Sequence, residues 1–129
     1  MRRHQPAHLD ELPQVPPMNA RSWLRRLYAE QIQRRRELRR AMLAAGPACT
    51  DAPELFTTPD LFEPEQDAAR QEREAAAARI CATCPARTAC LAYALAIRPS
   101  EGVWAGLTAA EIRAVALHRA ATGPGQEVA

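Results

Sequence analysis

Cys81-Ala82-Thr83-Cys84-Pro85-Ala86-Arg87-Thr88-Ala89-Cys90 is the stretch that organises this chain. Its three thiols are spaced C-x2-C-x5-C, and the only other cysteine among 129 residues is Cys49, far upstream. Four thiolates fill the coordination shell of one metal ion or one iron–sulfur cluster. The same ten residues read as a helix junction. Cys81 ends a segment rich in alanine, and Pro85 opens another that carries Cys90, Leu91, Tyr93, Leu95 and Ile97. Cys81 and Cys84 then stand side by side across the junction. Cys90 follows nearly two turns on, and Cys49 closes the site as a long-range staple.

A staple is expected on other grounds. The chain has two Trp, two Tyr and two Phe, and much of its apolar content is alanine. Alanine buries little area at roughly 25 cal/mol per Å². A small chain with so thin a core needs a metal, a disulfide or a partner. The N-terminus lacks the apolar core of a secretory signal, and no run of about 18 apolar residues is present. The expectation is a cytoplasmic chain with no membrane segment, where clustered thiols are metal or redox sites rather than structural disulfides.

Outward from the cysteines, the punctuation predicts an all-α fold: a small bundle of about four to five helices around the four thiols, with an N-terminal basic helical extension. Residues 1–20 are Pro-rich and polar and read as disordered. Residues 21–46 form a helical arm that Gly46-Pro47 terminates, with Trp23, Leu24, Leu27, Tyr28, Ile32, Leu38 and Leu43 on one broad face. Residues 47–121 form the cysteine domain, and 122–129 a disordered tail. Within the domain, Pro53 starts a short helical turn, and Pro64 or Glu65 starts a helix running to Cys81. Pro99 stops the next helix, and Thr108 with Glu111 forms a capping box for the last, about 109–121. Phe56, Phe62 and Tyr93 are read as core around the thiols. No period-2 apolar run predicts a strand.

Charge divides the chain. Every basic residue is Arg. Residues 1–48 carry ten Arg against four acids, a net +6, whereas residues 49–129 carry seven against eleven, a net −4. The densest basic run, Arg34, Arg35, Arg36, Arg39 and Arg40, is a candidate nucleic-acid contact; the bland reading is a solvated helix face. His4, His8 and His118 lie in segments read as flexible or exposed and are poor metal-ligand candidates.

The thiol spacing leaves three chemistries open. Four-cysteine zinc sites usually come as two close pairs, and here one cysteine stands alone and one gap is five residues. A zinc-dependent anti-sigma pattern would place His at position 77, which is Ala77. Bacterial ferredoxins use tighter C-x2-C-x2-C runs. A thiol–disulfide catalyst would use Cys81 and Cys84 beside a strand and would leave Cys49 and Cys90 unexplained. Iron–sulfur is favoured over zinc, and zinc over a disulfide reductase.

A lone upstream cysteine, then Cys81, Cys84-Pro85, Cys90-Leu91 and Tyr93-Ala94-Leu95, then Gly102-Val103-Trp104-Ala105-Gly106, resembles the WhiB-like family of actinobacterial and actinophage regulators. Leu55-Phe56 after the first cysteine resembles it too, so the likeness covers about residues 48–117. The resemblance implies a helical, non-enzymatic transcription regulator with one 4Fe–4S cluster on Cys49, Cys81, Cys84 and Cys90, responsive to oxygen or nitric oxide. It implies disulfide pairing of those thiols once the cluster is lost. It also implies that Gly102, Val103, Trp104 and Gly106 contact the C-terminal domain of the primary sigma factor of RNA polymerase, with promoter DNA as a further partner and no small-molecule substrate. Two departures stand out. Ala105 replaces the family's usual Gly, which at positive φ costs about 1 kcal/mol. Only Arg113, His118 and Arg119 are basic after the turn, where DNA-binding members carry a basic run.

Overall fold

Asn19 starts the first helix: its side-chain oxygen accepts the backbone N–H of Arg21 at 3.0 Å, a cap the sequence reading did not identify. The computed structural model describes residues 19–59 and 62–123. Helix α1 spans Ala20–Ala44. Two 3-10 turns follow, Ala48–Asp51 and Pro53–Leu55. Helix α2 is Asp67–Ala82, α3 is Arg87–Ile97 and α4 is Ala109–Thr122. Between α3 and α4 lies a two-stranded antiparallel hairpin, β1 (Val103–Trp104) and β2 (Leu107–Thr108), pairing Val103 with Thr108 and Trp104 with Leu107. The expectations for residues 1–18, His4 and His8 included, for Leu61, and for 124–129 fall outside the described residues.

The chain is mostly helical, as its punctuation predicts. The capping box is complete: Glu111 N–H donates to the Thr108 hydroxyl at 3.3 Å, and Thr108 N–H donates to the Glu111 carboxylate at 2.7 Å. The hairpin was not predicted. Two-residue strands are too short to show a period-2 pattern, and this pair is set by its turn. Ala105 and Gly106 have φ of 53° and 85°, the two consecutive positive values that join such short strands. Ala105 therefore carries the strain that its sequence position implied.

The core is thin. Among the described residues, those buried are Ala77, Cys81, Ala86, Ala94, Val103, Ala105, Ala109, Ile112 and Ala116, and Ile112 is the one large side chain fully enclosed. Six of these nine are alanine, so packing alone stabilises little. Ala109, Ile112 and Ala116 form the buried stripe of α4. Phe56 and Leu55 pack on the cluster of Ala77, Cys81 and Val103. Tyr93 is half-buried, but Phe62 is 88% exposed and is no part of the core. The loop that carries Phe62 is anchored instead by polar contacts from Glu65.

That anchor also explains why α2 starts at Asp67 and not at Pro64 or Glu65. The Arg73 guanidinium grips both Glu65 carboxylate oxygens, at 2.8 and 3.0 Å, and donates a third hydrogen bond to the Leu55 carbonyl at 3.1 Å. Glu65 is held outside the helix by this fork. It holds the Glu65 carboxyl below the usual carboxylate range, chiefly through the hydrogen bonds.

Helix α1 packs along α3, the most extensive pairing of elements in the fold. None of its residues is fully buried. Ile32, Leu38 and Met42 are half-buried, whereas Trp23, Leu24, Tyr28 and Leu43 of the predicted apolar face are exposed.

Candidate functional site

Each thiol is delivered by a different local device. Cys49 sits in the first 3-10 turn, after Gly46 (φ 76°) and Pro47 reverse the chain at the end of α1. Cys81 lies in the last turn of α2, and Cys84 in the short link to α3. Two tight turns hold that link: Cys84 N–H donates to the Cys81 carbonyl, and Arg87 N–H to the Cys84 carbonyl, both at 3.2 Å. Cys90 stands in the first turn of α3, its N–H donating to the Ala86 carbonyl at 2.7 Å.

All four thiols line one cavity of about 270 Å³. Its walls are otherwise mainly apolar: Met42 and Leu43 from α1, Phe56, Ile80, Val103 and Trp104. The four are free cysteines, Cys81 buried and the others half-buried. They are close enough to feel one another. Burial pushes the Cys81 thiol up first, and neighbouring Cys84 and Cys49 add to that; burial likewise raises Cys90, with Cys81, Cys49 and Cys84 adding. Among the described residues, no three Cys, His, Asp or Glu side chains are drawn together tightly enough to hold a single metal ion as they stand.

Two backbone amides and one guanidinium oppose that cost, and a third amide meets Cys84. The Ala48 N–H donates to Cys84 Sγ at 3.4 Å. The Gly106 amide faces Cys81 and the Ala105 amide faces Cys90, each favouring the thiolate. Arg87 lies beside Cys81 and favours its charged form. These donors are the usual surroundings of a thiolate-ligated metal centre, whose charge they offset.

The hairpin is thus part of the site. A Cβ at Gly106 would lie 3.5 Å from the Cys81 Cβ and 3.6 Å from Arg87 Nη2, so the turn passes close over the thiols. At Gly102 (φ 87°), a Cβ would fall 2.7 Å from the Phe56 carbonyl oxygen, which accepts the Val103 N–H at 3.2 Å. Trp104 folds back: its indole N–H donates to the Glu101 carbonyl at 2.9 Å and its ring meets Tyr93 at 6.2 Å between centroids, tilted by 55°. Trp104 therefore borders the thiol cavity while remaining partly open to solvent. Of the residues assigned from resemblance to a partner surface, Val103 points inward, being 6% exposed.

Sequence reasoning brought the four cysteines and the Trp104 turn together, and the structure places them in one cavity. It missed the two turn amides, because backbone donors have no sequence signature, and Arg87, whose partner Ala105 lies 18 residues away. The basic run Arg34, Arg35, Arg36, Arg39 and Arg40 lies exposed on α1, apart from the thiols.

The sequence model of the family described as "Transcription factor WhiB" matches residues 45–115. The chain is 52% identical over 46 residues to the transcriptional regulator WhiD of Streptomyces coelicolor, a stretch covering 36% of this chain and 41% of that protein. It is 44% identical over 57 residues to the transcriptional regulator WhiB2 of Mycolicibacterium smegmatis, covering 44% of this chain and 41% of the relative. The matched stretch thus spans about two fifths of the length of these relatives. No solved structure matches the chain. No helix among the described residues is long and apolar enough to cross a membrane. A family match over more than half of the chain, on the segment that carries all four thiols and the hairpin, means that this chain belongs to the WhiB family of transcription factors.

Proposed function

We propose that this protein regulates transcription through a 4Fe–4S cluster held by Cys49, Cys81, Cys84 and Cys90, with the Trp104 hairpin docking on the C-terminal domain of the primary sigma factor and with promoter DNA as a second partner. The observation that carries this reading is the position of the hairpin: the amides of Ala105 and Gly106 face Cys90 and Cys81, and Trp104 immediately precedes them. A change at the thiols is therefore transmitted to the backbone that presents Trp104.

The thiol arrangement supports a cluster over a single ion. Four sulfurs around tetrahedral zinc at about 2.3 Å stand roughly 3.8 Å apart. A cubane spreads its thiolates over four irons and needs a wider, drier pocket. Here the four thiols surround a mainly apolar cavity of about 270 Å³. Bound there, such a cluster would supply reactivity towards oxygen and nitric oxide. The chain's own residues do the rest. Cys81 and Cys90 release protons on ligation, since burial keeps them as thiols otherwise. Arg87 and the amides offset the resulting negative charge. Met42, Leu43 and Phe56 limit water.

Protein purified without oxygen should contain about four iron and four sulfide per chain. One zinc and no sulfide would replace the cluster with a structural zinc module, and activity retained in Cys49→Ser would point to a disulfide reductase. Trp104→Ala should abolish co-purification with the sigma domain while leaving iron content intact; retained binding would refute the docking assignment.

A further inference from the structure

Arg34 and Arg35 of α1 meet a third guanidinium from outside the arm. With Arg98, the residue that follows α3, they line one open groove of about 470 Å³, together with Gln31, Leu95 and Ala96. No acidic side chain lines it. The ion pairs among the described residues are Arg70–Asp67 and Arg73–Glu65, so none of the three is neutralised there.

Arg98 is held in place against its own preference. Its φ of 49° and ψ of 70° are left-handed, a helix-end position that favours Gly or Asn. Pro99 behind it further disfavours helical backbone. A non-glycine residue in such a position points to function more than to folding. The left-handed residue closes α3, its N–H donating to the Ala94 carbonyl at 2.8 Å, and its side chain borders the groove shared with α1. Three like charges around one neutral floor repel one another unless an anion lies between them.

We propose that this groove binds the phosphate backbone of duplex DNA, with Arg98 completing a surface that the arm begins. A polyanion fits better than a small anion. The groove is open, and α1, a helix of about 37 Å, carries six further arginines around its circumference: Arg21, Arg25, Arg26, Arg36, Arg39 and Arg40. Glu30 and Glu37 are the acids on that helix, and Glu37 is engaged by Gln33 at 3.1 Å. Only Arg113, His118 and Arg119 are basic after the hairpin, so among the described residues arginine is densest along α1. The DNA partner rests on the transcription-regulator reading, but neither the cofactor nor the sigma contact enters the argument.

Anisotropy with a labelled 20-base-pair duplex, over 50–200 mM KCl and on the full chain, tests it. Each lost phosphate contact should weaken binding about eightfold at 0.1 M salt and flatten the log–log salt slope by about 0.9. Arg98→Gly removes the charge and suits the backbone, so it should bind about eightfold more weakly yet melt no lower than wild type. Arg34→Ala with Arg35→Ala should flatten the slope by about 1.8. Arg79→Ala, an exposed arginine on α2, should change neither. Wild-type affinity and slope in Arg98→Gly overturn the proposal, as does undetectable duplex binding or displacement of the duplex by millimolar inorganic phosphate at constant ionic strength. Iron or zinc content in the same preparations bears on the cluster alone, so the two readings fail separately.

Discussion

The Arg87 Nε–H donates to the carbonyl oxygen of Ala105 at 3.3 Å, joining the first residue of α3 to the turn of the hairpin. One side chain therefore touches both halves of the site. Its guanidinium favours the Cys81 thiolate, and its hydrogen bond holds the Ala105–Gly106 peptide, whose amide faces Cys81. Arg87→Gln keeps a donor and removes the charge. If the proposed cluster is bound, removing a unit charge taken as about 6 Å from it, with an effective dielectric between 80 and 20, should lower its potential by roughly 30 to 120 mV. A redox titration of the anaerobically purified variant gives the value, and an unmoved midpoint would remove Arg87 from the electrostatics of the site.

Ala105 sets two opposing effects against each other. Its φ of 53° costs about 1–2 kcal/mol relative to Gly. Glycine would lose a buried methyl worth about 0.8 kcal/mol and add unfolded-chain entropy worth about 0.4–1 kcal/mol. Ala105→Gly should therefore be neutral to within about 0.5 kcal/mol in urea unfolding. Ala105→Val, with a β-branched residue at positive φ in a position only 5% exposed, should lose more than about 2 kcal/mol.

Gly102 is intolerant for two reasons at once. Its φ is 87°, and an added Cβ would sit 2.7 Å from a backbone oxygen, a contact that no side-chain rotation can relieve. Strain of about 1–2 kcal/mol and overpacking of about 1–3 kcal/mol put Gly102→Ala near 3 kcal/mol. The loss should come with faster amide exchange at Val103, whose N–H is bonded to the Phe56 carbonyl. Normal protection at Val103 would show that the hairpin does not depend on this approach.

The Glu65–Arg73 fork makes a pH prediction. The Glu65 carboxyl is held below its ordinary value of 4.5, so the fork stabilises the fold above that pH and is lost as pH falls through the lowered folded value. Wild type should exceed Glu65→Gln in stability at pH 7, and the gap should close below about pH 4.5. Urea titrations of both proteins in one cofactor state, at pH 7, 5 and 3.5, measure the gap. A gap independent of pH would assign the effect to shape rather than charge.

What was legible in the sequence is what has local cause. Cysteine spacing, Gly46-Pro47, Pro85, Pro99 and the Thr108–Glu111 box each act within a few residues, and the elements they delimit are those observed. What was illegible is long-range or backbone-borne. Arg73 meets Glu65 and Leu55 from 8 and 18 residues away, outside any helical spacing. The hairpin comes from two positive φ values rather than from a pattern. Phe62 reads as core by hydrophobicity alone, yet the fork beside it, not burial, fixes its loop.

Removing the proposed metal centre should cost this fold more than it would cost a chain with a full core. Among the described residues Ile112 is the one large, fully buried side chain, and α1 contributes no buried residue at all. The four thiols, from α2, α3, the link between them and the first 3-10 turn, line one cavity that Met42 and Leu43 of α1 also border. Ser at any one of Cys49, Cys81, Cys84 or Cys90 should abolish cofactor retention, lower helicity and broaden thermal unfolding. The losses should be most alike between Cys81 and Cys90, each of which faces one amide of the hairpin turn. Circular dichroism before and after chelation, on wild type and the four variants, measures this. If the chelated wild type unfolds with undiminished cooperativity, the alanine-rich core suffices and the thiols serve signalling alone.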